Sequence, residues 1–411
     1  MENRGNSWWV VFGSAICLIV GNGPVMQFTF GVFLLPVVTD LGTDRATISL
    51  ALLAGLCVTG LATPVAGKLI DRFGIRCVSL PAILLFSAGI ASLGWFTRTP
   101  SSFILLYAVL GLVSTGQAPL PYARAVAAAF DRQRGLALGI AMAGVGLGTA
   151  LLPLFARALI SEFGWRTAYV VLGATVFLVA FPTMALLVDR GGRPGHSVES
   201  APAFTEGLDF RRIVRLREFW ILAAAFFFVA VGVCGVSAHI IPLLGDTGIA
   251  PATATLAISA SGLALIAGRL LAGFLLDRLY APYVAAAFFL APLFGITIIL
   301  LSNTMIWAVV ATILVGLGLG AEVDLIAFLI SRYFGMRAFG ETYGYLFATF
   351  MIGAGVGPFL MGASYAQLGS YTPALLLSLV GLAASCLLVL CLGRYRFAVD
   401  ASGGGPNSTR Y

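Results

Sequence analysis

The chain has 411 residues, of which 60% are hydrophobic and only 10% are charged, and its formal net charge at pH 7 is +7. Because an ordinary soluble domain has about 25% charged residues, this composition excludes that class and predicts a membrane protein. The excess cations flank apolar segments, where they would face anionic lipid headgroups, and their pattern does not indicate a nucleic-acid partner.

Twelve apolar segments in succession are long enough to cross a bilayer. About 20 apolar residues in a helix are needed to cross roughly 30 Å of hydrocarbon. The first segment is too long for the core of a signal peptide, so we expect it to remain as an uncleaved helix. The predicted spans cover residues 8–36, 47–70, 77–97, 101–130, 135–160, 166–188, 218–244, 252–276, 282–302, 305–330, 338–366 and 371–393.

A polar segment rich in Gly, Pro, Ser and charge lies between the sixth and seventh spans and divides the chain into six plus six helices. We therefore predict an all-α membrane protein built from two pseudo-symmetric bundles of six helices. The expected parts are an N-terminal bundle over 1–188, a cytoplasmic linker over 189–217, a C-terminal bundle over 218–396 and a disordered tail over 397–411.

The basic residues indicate an orientation. If both termini are cytoplasmic, 18 of the 24 Lys and Arg residues lie on the inner side and four on the outer side, and Arg124 and Arg269 lie within the membrane. Such a bias follows the positive-inside rule. We expect a multi-pass protein of the inner membrane with both termini in the cytoplasm.

The two halves share a motif at the end of their second helix. The segment "GKLIDRFGIR" ends the second span and "GFLLDRLY" ends the eighth. Two related six-helix halves around a central pathway are typical of secondary transporters, whose binding sites lie near the midplane between the repeats. We expect the loop residues to latch the inner face as the halves move. The matching residues are Gly67, Asp71 and Arg72 in the first half and Gly273, Asp277 and Arg278 in the second.

These residues resemble a known family. The segment from Gly67 to Arg76 is similar to the loop motif G-x-x-x-D-R-x-G-x-R of the major facilitator superfamily, and the six-plus-six layout extends the similarity over the whole chain. Three segments, "TFGVF", "RQRGLALGIAMAG" and "FGWRTAY", resemble the monocarboxylate transporter and oxalate/formate antiporter group within it. The resemblance implies the major facilitator fold and the transport of small organic anions.

Arg269 lies in an otherwise apolar stretch of the eighth span and aligns with an arginine that binds the substrate carboxylate in that group. A planar guanidinium can hold a carboxylate through two parallel hydrogen bonds. The alternative is a structural arginine that pairs with Asp324 or a helix end. The chain has Leu265 and Phe28 where animal monocarboxylate transporters have an acidic residue and a lysine, so the proton relay of that subgroup is missing.

Charged groups inside a membrane are costly and are therefore functional candidates. Arg269 and Asp324 are each eight residues, or about 12 Å, from the inner end of their span, and Arg124 is about 10 Å from its own. A cluster of these residues is geometrically possible. The side chains of Glu322 and Asp324 leave the helix on opposite faces, because the two residues are two positions apart. We expect Asp324 to face the pathway and Glu322 to be either a helix contact or a proton carrier.

Several polar residues are weaker candidates. His239 is predicted near the outer end of the seventh span, as a solvated or capping histidine or as a gate and proton acceptor. Asn22, Gln117 and Tyr122, on the first and fourth spans, could bind a substrate or join helices. Phe28 is a substrate candidate by its place in the resemblance.

The leading hypothesis is therefore a secondary transporter that moves a small organic anion, a monocarboxylate, across the inner membrane by alternating access. If transport is coupled to protons, Asp324 or Glu322 must supply the coupling. The alternative is efflux or uptake of a larger drug-like or natural-product solute by the same fold. No pattern of an enzyme, a cofactor site or a metal site is evident. The expected partners are the solute, protons and the lipid bilayer, and the expected state is a monomer.

Overall fold

The computed structural model describes residues 4–130, 134–188, 207–302 and 304–397. Within them the chain is helical, apart from loops and one isolated bridge between Gly207 and Gly335. The helices are α1 Arg4–Ile19, α2 Phe30–Leu41, α3 Arg45–Phe73, α4 Ile75–Phe96, α5 Pro100–Val113, α6 Pro119–Ala129, α7 Arg134–Thr183, α8 Phe210–Ile213, α9 Arg217–Asp246, α10 Pro251–Leu276, α11 Ala281–Leu301, α12 Met305–Tyr333, α13 Phe339–Leu368 and α14 Thr372–Leu390.

Eleven helical segments among the described residues are long and apolar enough to cross a membrane. One of them, Leu136–Leu186, has 51 residues, which is long enough for two crossings. It changes direction at Gly164, whose φ of 76° is open to glycine at little cost. The segment therefore contains the fifth and sixth predicted spans, and the all-helical membrane class is confirmed.

The first and fourth predicted spans are not continuous helices, which corrects the sequence-based expectation. The first is broken into α1, a π-helical turn over Gly23–Phe28 and α2, and the fourth into α5, a 3₁₀ turn over Ser114–Gln117 and α6. Pro24 lies at the start of the π-helical turn and Pro119 begins α6, and proline has no backbone N–H to continue a helix. The breaks meet, because the Gln117 side chain donates to the Cys17 carbonyl at 3.1 Å and to the Val20 carbonyl, just after α1, at 3.5 Å.

Two helix pairs form the main contacts between the halves: α3 packs on α13, and α7 packs on α10. Glycines in two equivalent patterns make these contacts close. In "AGVGLG" of α7, Gly144 and Gly148 pack on the first span, and Gly146 packs on α10 of the other half. The corresponding pattern is "GAGVGP" of α13. Its outer glycines pack on α9, while its middle glycine, Gly355, packs on Leu53 of α3. The middle glycine of each pattern therefore joins the two halves.

The end of the predicted linker is attached to the second half. Leu208 donates its backbone N–H to the Phe334 carbonyl at 3.0 Å, and Asp209 pairs with Arg337 at 3.1 Å. Phe210 of α8 stacks on Tyr345 with ring centroids 4.8 Å apart. The rest of the predicted linker, 189–206, and the predicted tail from 398 onward lie outside the described residues.

Candidate functional site

The candidate site lies where the two halves face each other, in a space that we call the cleft, and the two ends of this cleft differ. We call one end the arginine-rich end, because α3 and α10 finish there beside Arg72 and Arg278. We call the other the opposite end, and α3 begins there with Arg45. α9 runs the other way, from Arg217 to Asp246 at the opposite end. The geometry of each end decides from which side a solute could reach the site.

A group of side chains at the opposite end, which we call the Arg45 cluster, links the two halves. Arg45 binds Asp246 through two hydrogen bonds of 2.5 and 3.0 Å and donates to the Tyr371 hydroxyl at 2.6 Å. Its guanidinium also lies 3.7 Å from the centre of the Tyr365 ring. Because Arg45 belongs to the first half and its three partners to the second, these contacts close the opposite end.

His239 belongs to the same cluster. Its Nε2 lies 2.9 Å from the Ser49 hydroxyl of the first half, and its Nδ1 lies 3.1 Å from the Tyr371 hydroxyl. The side chain is fully buried. The expectation of a solvated or helix-capping histidine is therefore wrong: His239 fills the contact between the halves, where packing excludes water, and it remains a candidate for a gate.

The cleft widens from the opposite end towards the arginine-rich end. A Cβ added to Gly362 would lie 2.7 Å from the Arg45 carbonyl, whereas one on Gly344, five turns away along α13, would lie 3.5 Å from Pro64. The distance between α7 and α10 increases in the same direction. A Cβ on Gly262 of α10 would lie 2.5 Å from the Ala150 nitrogen, and one on Gly273 would meet nothing within 4 Å. At these glycines the two halves therefore pack closely at the opposite end and lie further apart at the arginine-rich end, which we call the open end.

Arg269 and Asp324 meet inside this cleft, as their matching depths predicted. The Nε of Arg269 lies 3.3 Å from an Asp324 carboxylate oxygen. The Arg269 side chain is only 10% exposed, while that of Asp324 is 38% exposed, although protein surrounds it on most sides. A deep residue that water still reaches lies on the wall of a cavity. Of the two carboxylates, Asp324 is therefore the one that solvent can reach, because Glu322 is only 1% exposed.

Arg269 has further contacts that fix its position. Its Nε is 3.4 Å from the Gly320 carbonyl of α12, and its Nη1 donates to the Met142 carbonyl of α7 at 3.3 Å. Met142 belongs to the first half, so this arginine touches both halves in the middle of the cleft. A solute bound to the guanidinium would act on the contact between them.

Glu322 is 1% exposed. Neither of its carboxylate oxygens has a hydrogen-bond partner among the described residues. It lies within electrostatic range of Cys234 on α9, which in turn is close to Gln27 of the first half. A buried, unpartnered carboxyl group beside the junction of α9 and the first span is chemically unusual, because an ion there would have lost its water without compensation.

The candidates on the first half do not join this pair. Gln117 and Tyr122 are fully buried, and the Tyr122 hydroxyl donates to the Gln117 carbonyl oxygen. The Asn22 oxygen accepts from the backbone N–H of Gly23 at 2.8 Å, and Phe28 is 6% exposed in the core. Gln117 and Tyr122 thus join helices, which was the alternative considered for them from the sequence.

Arg124 and the loop residues lie nearer the arginine-rich end. Arg124 donates to the Gly67 carbonyl at 3.4 Å, so the predicted cluster of two cations is divided between the halves. Arg72, Asp277 and Arg278 are exposed, and the Arg278 guanidinium lies 3.6 Å from the centre of its neighbour Phe274. The side chain of Asp71 lies outside what the structure describes.

Sequence reasoning missed the Arg45 cluster. Arg45 and Asp246 are 201 positions apart. Arg45 begins α3 and Asp246 ends α9, and a charge is ordinary at the end of an apolar helix. The only local sign was the position of His239 among apolar residues near the same end. Pairing across two halves depends on the tertiary arrangement, which one sequence does not contain.

A comparison with family models settles the class. The model described as Major Facilitator Superfamily matches residues 16–340 and again residues 234–407. The chain belongs to the major facilitator superfamily. The second match falls almost wholly in the second half, in agreement with the internal repeat.

Curated relatives of this superfamily member include anion transporters. It is 26% identical over 374 residues to monocarboxylate transporter 12-B of Danio rerio, covering 83% of this chain and 78% of the relative. It is 28% identical over 284 residues to the oxalate:formate antiporter of Oxalobacter formigenes, covering 67% of this chain and 64% of the relative. The protein is thus a multi-pass membrane transporter of a small solute and not an enzyme.

A solved structure has the same fold. A bacterial homologue of the human lysosomal transporter Spinster, in an inward-facing and unoccupied conformation, superposes with a TM-score of 0.67 over 95% of both chains, at 17% sequence identity. At that identity the likeness concerns the fold alone.

Proposed function

We propose that this transporter moves a small organic monocarboxylate by alternating access, with Arg269 as the group that binds the carboxylate. The observation that supports the proposal is the Arg269–Asp324 pair. A nearly buried guanidinium faces a carboxylate that water can reach, in the middle of a cleft open at one end. The names of the two curated relatives, a monocarboxylate transporter and an oxalate:formate antiporter, support the same class of solute.

Asp324 has a defined part in this proposal. Without solute it supplies the negative charge that lowers the cost of burying Arg269. An entering carboxylate can replace it on the guanidinium, and Asp324 can turn to water because it is already partly exposed. Since Arg269 also holds the Met142 carbonyl of the other half, the exchange alters a contact that must change when the halves rock.

Counterflow in proteoliposomes tests the cargo and the role of Arg269. We expect exchange of labelled lactate or another monocarboxylate by the wild type, and Arg269→Lys to lower apparent affinity at least tenfold, because an ammonium cannot form the paired hydrogen bonds of a guanidinium. Arg98→Lys, at an exposed position outside the candidate site, is the matched control and should match the wild type. Unchanged affinity in Arg269→Lys would reduce this residue to a structural role, and exchange of no anion at all would leave the larger drug-like solute as the better hypothesis.

Coupling to protons is the second part of the proposal, with Glu322 as the carrier. An ionised carboxylate without a partner in an apolar surrounding costs several kcal/mol, so Glu322 is neutral while it is buried. Among the described residues, Cys234 on α9 lies within electrostatic range of Glu322, and Asp324 leaves the opposite face of the same helix. Opening of the α9 junction would admit water and release the proton.

An imposed pH gradient tests this part. Glu322→Gln keeps the shape and has no acidic proton, so we expect it to abolish accumulation driven by the gradient and to preserve counterflow. Glu162→Gln, which removes an exposed carboxylate elsewhere, is the matched control and should leave accumulation intact. Equal accumulation by wild type and Glu322→Gln would contradict the assignment of Glu322.

Location and orientation complete the proposal. We propose that this open end and both termini face the cytoplasm and that the protein lies in the inner membrane, and the excess of basic residues at the arginine-rich end supports this orientation. We propose bundles over 1–188 and 218–396, joined by a cytoplasmic linker over 189–217, and a monomer as the working unit. Accessibility of single cysteines on the two sides of sealed vesicles tests the orientation.

A further inference from the structure

Four aromatic residues form a stripe along α13, which we call the aromatic stripe: Phe339, Tyr343, Phe347 and Phe350. Successive ring centroids are 6.0, 5.7 and 6.1 Å apart, and the ring planes differ by 18°, 10° and 25°. The rings are therefore nearly parallel from one helical turn to the next. Phe339, Tyr343 and Phe347 are only partly buried.

The neighbours of α13 show which way the stripe faces. Gly344 and Gly355 face α3 of the first half, and Gly353 faces Phe227 of α9. Tyr345, on the outer side, is 54% exposed. At about 100° per residue, the stripe falls between the α3 side and the α9 side and opposite Tyr345. This is the face turned towards the cleft.

The stripe lies at the level of the charged pair. Phe347 is eight residues, or about 12 Å, from the start of α13, and Asp324 is nine residues, or about 14 Å, from the end of α12 at the same end of the molecule. Tyr343, one turn nearer the opening, lies within electrostatic range of both Asp324 and Arg269. Aromatic surface and a carboxylate-binding cation therefore adjoin on one cavity wall.

We infer that the solute is an aryl monocarboxylate, whose carboxylate binds Arg269 while its ring packs against the aromatic stripe at Tyr343 and Phe347. This inference rests on the proposed function and names its substrate class. Rings that only filled the protein core would be fully buried, as Phe30 and Phe33 are, whereas these rings stay partly open to the cleft. Aromatic side chains favour offset and edge-to-face contacts with another ring, which a short aliphatic acid cannot supply.

Counterflow with two pairs of probes tests the inference: phenylacetate and benzoate against acetate and lactate. We expect the wild-type KM to be at least tenfold lower for the aryl acids. Phe347→Leu should raise the KM for phenylacetate about tenfold and leave that for acetate unchanged. Phe347→Trp keeps an aromatic ring and should retain the aryl preference. Phe294→Leu, which removes a lipid-side ring that is 57% exposed, is the matched control and should behave as the wild type.

The outcomes separate this inference from the function on which it rests. Exchange of acetate and lactate with no preference for aryl acids would overturn the inference and leave the proposed function standing. An equal rise of both KM values in Phe347→Leu, with a wild-type melting temperature, would overturn it as well. Exchange of no carboxylate would overturn both proposals.

Discussion

The two ends of the cleft are built differently. At the opposite end, the Arg45 cluster joins the halves through an ion pair, a histidine and two tyrosines, and the helices touch at glycines. At the arginine-rich end, Arg72, Asp277 and Arg278 are exposed, and Gly273 has open space beside it. The comparison teaches that a few polar contacts decide which end is shut, while small residues decide how closely the helices can approach.

Arg45→Ala should have the largest effect on this difference. The substitution leaves Asp246 without its partner. Because both side chains are only partly buried, we expect the conformation that is shut at the opposite end to lose about 2 kcal/mol of stability. That is roughly a 30-fold change in the ratio of conformations, in favour of a state that opens at the opposite end. Spin labels at Thr43 and Thr247, in a background without the native cysteines, would report a longer distance.

Asp40→Asn is the matched control for Arg45→Ala. It removes an ion pair of 2.6 Å with Arg166 that lies at the same end but within the first half. The label distance should stay as in the wild type. A change of equal size in both variants would mean that general destabilisation, rather than the link between halves, explains the effect of Arg45→Ala.

Gly262→Ala should have an intermediate effect. The added methyl group would lie 2.5 Å from the Ala150 nitrogen, and such overpacking costs about 1–3 kcal/mol. We expect this variant to have a lower melting temperature and a larger distance between α7 and α10. Gly273→Ala adds the same group to the same helix in open space, where alanine is the better helix former by up to about 1 kcal/mol. Thermal unfolding of the two purified variants in detergent would compare their melting temperatures. An equal fall of the melting temperature in both variants would contradict the widening of the cleft.

Asp277→Asn should have the smallest effect on stability. The residue is exposed at the arginine-rich end, and surface changes of this kind usually stay within about 0.5 kcal/mol. If the loop motif latches this end in the other conformation, transport should nevertheless slow while the melting temperature stays constant. Initial rates of counterflow measure the first quantity and thermal unfolding the second. An unaltered rate would remove Asp277 from the latch.

Sequence reasoning could predict features that repeat along the chain and features that follow from the free-energy cost of placing a charge in a membrane. Apolar length gives the number of crossings, and the expense of a charge in a membrane singled out Arg269 and Asp324, whose equal depths predicted their pairing. It failed where proline and glycine break a span, because Pro24 and Pro119 lie in stretches whose average hydropathy still resembles a continuous helix. It also assigned Gln117 and Tyr122 to the solute as candidates, since nothing local tells a polar group that binds a ligand from one that binds a neighbour.

The Arg45 cluster also offers a means of observing the protein at work. Its members come from three distant parts of the chain, around 45–49, 239–246 and 365–371, and they adjoin in the state that is shut at the opposite end. An antibody fragment raised against this composite surface would bind that state and, by mass action, hold the molecule in it. Such a reagent would count the molecules that face one way in a living membrane, and would stop the cycle without touching the solute site.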